Sequence, residues 1–280
     1  MLPSHLKKSI PKKGNIARLR NLINDSSLHT VCESLKCPNI GECFSKNTLT
    51  FMIMGNVCTR NCAFCGCDKG TPGPLDPDEP QKISQAVLKL GLKYVVITSV
   101  TRDDLPDGGA GHFADVIRAT HARIEVLIPD FKGKRSSLDK IIKEKPEVIN
   151  HNVETVPRLY SKVRPQADYK RSLELLRYIK EVKPSIYTKS GFMVGLGESD
   201  DEVFSILRDL KSAGCDIVSI GQYLPPSSKH YKNARYVEPE SFIWYERVGY
   251  KMGFYKIFSG PFVRSSYKAG EILWKKHNGS

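Results

Sequence analysis

The sequence predicts an α/β fold built on a parallel sheet, either an α/β barrel or part of one. Three observations carry that expectation. Strand-like and helix-like segments alternate along the chain in six successive units. A chain of 280 residues, 40% of them hydrophobic, can bury a substantial core as one large domain or two small ones. The residues that could carry chemistry fall just after predicted strands, where barrels place their active sites.

The elements follow in order. FMIMGN (51–56) is a buried strand, and QKISQAVLKLG (81–91) has helical apolar spacing ending on glycine. KYVVITSV (93–100) is a β-branched strand, GHFADVIRATHA (111–122) a helix and RIEVLIP (123–129) a strand. SSLDKIIKEKP (136–146) reads as a helix opened by a serine cap and stopped by proline. EVINHNVE (147–154) is the next strand, and YKRSLELLRYIKEVKP (169–184) an amphipathic helix. The strand YTKSGFMVGLGE (187–198), the helix DDEVFSILRDLKSAG (200–214) and the strand CDIVSIGQYL (215–224) complete the alternation. FIWYERVGYKMGF (242–254) is a last long helix. No repeat of fixed period, no low-complexity tract and no run of about 18 apolar residues interrupts this pattern.

Six of the eight cysteines lie in two triplets between Cys32 and Cys65. Cys32, Cys37 and Cys43 sit in CESLKCPNIGEC; Cys58, Cys62 and Cys65 sit in CTRNCAFC. Three soft thiolates without a close fourth suit an iron–sulfur cluster that leaves one iron free. Zinc prefers four closed ligands, often as two Cys-x2-Cys pairs, and only one such pair is present here. Disulfides belong to oxidising compartments and small scaffolds. Cys67 is too near Cys65 for both to bind one cluster, and Cys215 reads as a buried apolar residue on a strand.

The Cys-x3-Cys-x2-Cys spacing of the second triplet resembles the signature of the radical S-adenosylmethionine (SAM) enzymes. With the Cys-x4-Cys-x5-Cys triplet before it, the chain resembles the lipoyl synthases. CESLKCPNIGECF (32–44), CTRNCAFC (58–65), VTRDDLPDGGAGHF (100–113), HNVETVPRLY (151–160) and GPFVRSSY (260–267) carry the resemblance, which covers nearly the whole chain. It implies a partial (β/α)6 TIM-like barrel of the radical SAM type with N- and C-terminal extensions. Residues 1–50 would carry the first triplet, 51–225 the barrel and 226–280 the RSSY motif, in a single compact unit.

The resemblance also implies a reaction. Two sulfur atoms would be inserted at C6 and C8 of an octanoyl chain amide-linked to a lysine of a carrier domain. Those carbons have no acidic proton, so side-chain acid–base chemistry does not reach them and a cofactor must. A [4Fe–4S] cluster on Cys58, Cys62 and Cys65 would deliver an electron to SAM, giving the radical that abstracts hydrogen. A second [4Fe–4S] cluster on Cys32, Cys37 and Cys43 would donate sulfur, with Ser266 of RSSY as its oxygen ligand and Ser265 as the fallback. The carrier would be a glycine-cleavage H protein or a dehydrogenase E2 subunit, and the reductant a ferredoxin or flavodoxin.

Further residues are expected near SAM. Phe64 precedes Cys65, where an aromatic would shield the adenine. Asn152 and Glu154 end a predicted strand and suit ribose hydroxyls. Gly108 and Gly109 would let backbone approach the methionine part. Gly195, in MVGLGE with Gly197 and Glu198, would pack near adenine. His151 could touch substrate, although a lone histidine is more often structural.

The net charge of +13 and pI near 9.3 point to an acidic partner or to a solvated basic surface. Lys7, Lys8, Lys12, Lys13, Arg18 and Arg20 form a short basic segment, read as part of the mature, cytoplasmic protein. No membrane contact is expected, and nucleic acid is not the expected partner. One rival reading is another sulfur-inserting radical SAM enzyme, such as a tRNA methylthiotransferase, which usually carries an extra RNA-binding domain. The other is a zinc-stabilised nucleic-acid-binding protein, which explains the cysteines and the charge but not the six strand–helix units.

Overall fold

A computed structural model describes residues 3–7, 28–34, 37, 39–45 and 48–272 of the chain. Lys8, Lys12, Lys13, Arg18 and Arg20 of the basic segment lie outside the described residues.

Eight strands form one sheet: β1 (His29–Thr30), β2 (Thr50–Ile53), β5 (Tyr94–Ser99), β6 (Arg123–Leu127), β7 (Val148–Asn150), β8 (Tyr187–Val194), β9 (Ile217–Gln222) and β10 (Lys256–Gly260). They lie side by side in chain order, with β1 and β10 at the two ends. All pairs are parallel except β1 with β2. This is the expected partial barrel, with one parallel strand more than the six-unit pattern indicated. The addition is β10, whose short KIFSG run gives little periodicity to read. Two further strands, β3 (Val57–Cys58) and β4 (Asp68–Lys69), form a separate parallel pair.

The strands form where β-branched and aromatic residues cluster, and their residues are buried on both faces because helices cover the outside. Between the sheet strands run α3 (Glu79–Leu90), α4 (Ala110–Ala119), α5 (Arg135–Lys143), α7 (Tyr169–Val182) and α8 (Asp200–Ser212); α9 (Pro239–Lys251) precedes β10. Short helices α1 (Val31–Ser34) and α2 (Ile40–Ser45) carry Cys32 and Cys43, with Cys37 between the two helices, and α6 (Tyr160–Val163) follows β7. The helix ends show their chemical causes. Asp168 caps α7 by accepting from Arg171 N at 2.7 Å, and Ser199 with Glu202 forms a capping box on α8. The serine cap expected for α5 is absent. The helix starts at Arg135, Lys134 is its N-cap residue without a side-chain bond, and Ser137 is buried within it. The aspartate before it, Asp130, is committed to the preceding turn, where it accepts from Lys132 N at 3.1 Å.

The inside of the sheet carries a polar layer. Lys189 and Glu125 pair at 2.8 Å with both side chains fully buried. Tyr94 donates to Glu125 at 3.1 Å and Asn150 to its other oxygen at 3.0 Å. A buried pair with these added hydrogen bonds is one the interior can hold.

Candidate active site

β2 ends in a turn with Met54 at φ +66°, a conformation that side chains resist. The buried Glu79 holds it there, its carboxylate accepting from Met54 N at 3.0 Å while also meeting His112 at 2.6 Å. The turn delivers the chain to Cys58. The β3–β4 ladder then closes the loop that holds Cys62 and Cys65, with Gly70 N donating to Cys58 O at 3.1 Å.

Arg60 anchors this loop. Its guanidinium takes Asp103 with two nitrogens, at 2.7 and 3.0 Å, and Asp130 at 2.6 Å. Burial would raise the Asp130 carboxyl, but Arg60 outweighs it and holds the group well below the usual carboxylate range. Burial works against the Arg60 charge in the same way, and the two aspartates raise its pKa. The Cys58 sulfur accepts from Arg60 N and Thr101 N, both at 3.4 Å. A hydrogen bond from the neighbouring Cys67 thiol holds the Cys65 thiol down, while that same contact and burial hold Cys67 up. Burial pushes Cys62 up.

The first triplet meets the C-terminal motif. Burial pushes the Cys32 thiol up to about 12. Cys37 N donates to Cys32 O at 3.0 Å, and Cys43 N to Asn39 O at 2.9 Å. Asn39 Nδ2 donates to Phe262 O at 2.7 Å, and Tyr267 OH to Glu42 at 3.1 Å. The chain at Val263 can lie against β9 because residue 221 is glycine. A Cβ there would collide with the Val263 carbonyl oxygen.

One cavity of about 760 Å3 lies at the C-terminal ends of the strands. All six triplet cysteines line it, with Cys67, Phe64, Asn152, Glu154, Ser265 and Ser266. Arg164 lines it too, donating to the Asn152 and Val153 carbonyls at 3.0 and 3.2 Å. Burial raises the Glu154 carboxyl, opposed by Arg164 and by Asn152 Nδ2, which donates to it at 3.0 Å. Ser265 is occupied. It accepts from Asn150 at 2.8 Å and donates to Asn152 Oδ1 at 3.0 Å. Among the described residues no side-chain hydrogen bond engages Ser266.

Three expected SAM neighbours do not line the cavity: Gly108, Gly109 and Gly195. Gly108 and Gly109 form the turn that starts α4, where Asp107 accepts from Gly109 N and Gly111 N at 2.9 Å each. Gly195 N donates to Glu198 at 2.7 Å, so its amide is spent within its own turn. His151 borders the cavity but is tied down by Ile128 O at 2.9 Å and Ser172 at 3.0 Å. Burial pushes its pKa down to about 4, so it is neutral and structural. Cys215 is buried, as the sequence indicates, but lies just ahead of β9 rather than on it. Arg60, Asp130 and Arg164 are not marked by sequence, and Ser265 is marked there only as the fallback iron ligand. Their partners are set by strand order, and no local spacing announces them.

The donor set fits iron–sulfur clusters. Among the described residues no three His, Cys, Asp or Glu side chains converge on one metal ion. The cysteines border a cavity instead, which suits a cube in which each thiolate takes a different iron. The two amides aimed at the Cys58 sulfur suit a ligand that carries negative charge.

A sequence-family model described as the radical SAM superfamily matches residues 52–210. Two solved structures share the fold. SuiB of Streptococcus suis bound to precursor peptide SuiA has a TM-score of 0.59 at 14% identity, over 79% of this chain and 52% of that one. The chain therefore spans about half the length of SuiB. Methylornithine synthase (PylB) gives 0.54 at 15% identity, over 87% and 82%. Fold and cavity together define a radical SAM enzyme.

Much closer relatives narrow that class. The lipoyl synthase of Caldanaerobacter subterraneus subsp. tengcongensis is 56% identical over 259 residues, covering 91% of each chain. That of Aquifex aeolicus is 54% identical, covering 91% of this chain and 94% of that one. That of Alkaliphilus metalliredigens is 51% identical, covering 98% and 96%. The chain belongs to the lipoyl synthase family, whose members are sulfur-inserting enzymes that use SAM and two [4Fe–4S] clusters. The tRNA methylthiotransferase reading is not favoured.

Proposed function

We propose that the cavity inserts sulfur at C6 and C8 of an octanoyl chain on a lysine of a lipoyl-carrier protein. The observation that supports it most is that both cysteine triplets and the RSSY motif border one cavity. Cys58, Cys62 and Cys65 would hold the SAM-binding cluster, and Cys32, Cys37, Cys43 and Ser266 the sulfur-donating one. When bound, these groups and SAM supply the electron, the hydrogen-abstracting radical and the sulfur.

The chain's own residues bind, orient and shield. Arg60 fixes the loop of the second triplet against the ends of β5 and β6. Asn152 and Glu154 offer hydrogen-bonding groups for SAM hydroxyls, and Phe64 offers a ring face for adenine. Ser266 is the RSSY hydroxyl free to meet iron, since Ser265 is held by two asparagines. Leu224, Pro225 and Pro226 give the mouth of the cavity an apolar edge that suits an acyl chain.

Residues 1–50, 51–225 and 226–280 would act as one unit. No helix among the described residues is long and apolar enough to cross a membrane. A cytoplasmic setting, an H-protein or E2 carrier, and a ferredoxin or flavodoxin reductant complete the reading. The test is an anaerobic reaction of the reconstituted enzyme with an octanoyl-lysyl peptide, SAM and dithionite. Mass spectrometry should find two sulfur atoms added to the peptide; unchanged peptide beside consumed SAM would refute the sulfur-insertion reading.

A further inference from the structure

A single hydrogen-bond chain runs from the interior of the sheet to the cavity. Lys189 donates to Glu125 at 2.8 Å, and Asn150 donates to the same carboxylate at 3.0 Å. The Asn150 amide nitrogen also donates to Ser265 Oγ at 2.8 Å. Ser265 donates to Asn152 Oδ1 at 3.0 Å, and Asn152 Nδ2 donates to Glu154 at 3.0 Å. The direction of every bond is set by its neighbours. Glu125 can only accept from its partners, so Asn150 presents its nitrogen. The Asn150 amide fills the lone-pair side of the Ser265 hydroxyl, so the hydroxyl hydrogen is free for Asn152. With its oxygen engaged, Asn152 turns its nitrogen to Glu154. Five of these six residues lie on the adjacent strands β6, β7 and β8 or just past the end of β7; the sixth, Ser265, comes from 113 residues beyond Asn152.

We infer that Ser265 is a positioning residue for SAM, fixing the side-chain amide of Asn152 so that Asn152 and Glu154 present one defined set of donors and acceptors. This inference rests on the reading that Asn152 faces SAM. It gives the paired serines different work. Ser266 is left to the first triplet, while Ser265 joins the same segment to the other half of the cavity. The segment that completes the sulfur-donating side thereby also orders the SAM side.

Binding of SAM to the reconstituted, unreduced enzyme tests this without turnover. Iron content and melting temperature confirm that each variant is loaded and folded. Ser265→Ala should weaken SAM binding about five- to tenfold while iron content stays at that of the parent. Ser265→Thr keeps the hydroxyl and should bind SAM within about threefold of the parent. Asn152→Ala should weaken binding at least as much as Ser265→Ala, and the double variant should be no weaker than Asn152→Ala alone. Additive losses would overturn the inference, as would a Ser265→Thr loss equal to that of Ser265→Ala. Weakened binding in Asn152→Ala with none in Ser265→Ala would overturn it alone. Unchanged binding in Asn152→Ala would overturn both it and the SAM-side reading.

Discussion

The side-chain amide of Asn39 donates a 2.7 Å hydrogen bond to the carbonyl of Phe262, 223 residues along the chain. Asn39 lies between two cysteines of the first triplet, and Phe262 lies just before the RSSY serines. The bond therefore joins the segment ahead of β2 to the segment after β10 at the place where the proposed sulfur-donating site must close.

Asn39→Ala should loosen that closure. It removes one hydrogen bond, a loss of about 0.5–1.5 kcal/mol. Of about eight irons in the loaded enzyme, the half on the first triplet should pass to a chelator faster than in the parent. Iron release timed with a coloured chelator checks this, and release at the parent's rate would show that the bond does not guard the cluster.

Arg60→Lys keeps the charge but loses the forked contact with Asp103 and Asp130. Stability should fall by about 1–3 kcal/mol, and 5′-deoxyadenosine formation should fall at least tenfold. Iron on the first triplet should be retained. A variant that cleaves SAM at the parent rate would show that the anchor is dispensable.

Buried His151 gives a signed pH dependence. Its folded pKa is about 4, below the unfolded value of about 6.5. Between these values the unfolded chain takes up a proton that the folded chain refuses. The His151 contribution is thus intact above about pH 6.5 and lost as pH falls toward 4, by up to about 1.4 kcal/mol per unit. Denaturant titrations at pH 7 and 5.5 should show a smaller drop for His151→Asn than for the parent. Equal drops would mean that another group governs this range.

Ser266→Ala should still form 5′-deoxyadenosine but give less than about a tenth of the parent's lipoyl product, because the first triplet would lose its proposed oxygen ligand. Chromatography for the nucleoside and mass spectrometry for the peptide check the two halves separately. Full lipoyl formation by this variant would remove Ser266 from the site.

What was legible in the sequence was local. Cysteine identity and spacing within each triplet need no knowledge of the fold, and long alternating segments gave the strand–helix order. What was not legible depended on neighbours brought together by the sheet. Arg60 finds Asp130 only because β5 and β6 lie side by side above the cysteine loop. Gly195 reads as a cofactor turn, and that its amide donates to Glu198 three residues on is visible only in the folded turn. Ser136 looked like a cap, but the helix begins one residue before it. Gly221 carries no motif, although a Cβ there would collide with the Val263 carbonyl oxygen just before the RSSY serines.

The central claim is that two cysteine triplets share one cavity and divide the labour, one serving SAM cleavage and the other sulfur supply. Cys58→Ala and Cys32→Ala, each reconstituted anaerobically and given SAM, dithionite and the octanoyl-lysyl peptide, test it in one measurement of 5′-deoxyadenosine and lipoyl product. The account predicts neither product from Cys58→Ala, and nucleoside without lipoyl product from Cys32→Ala. Normal SAM cleavage by both variants, or lipoyl product from either, would contradict it.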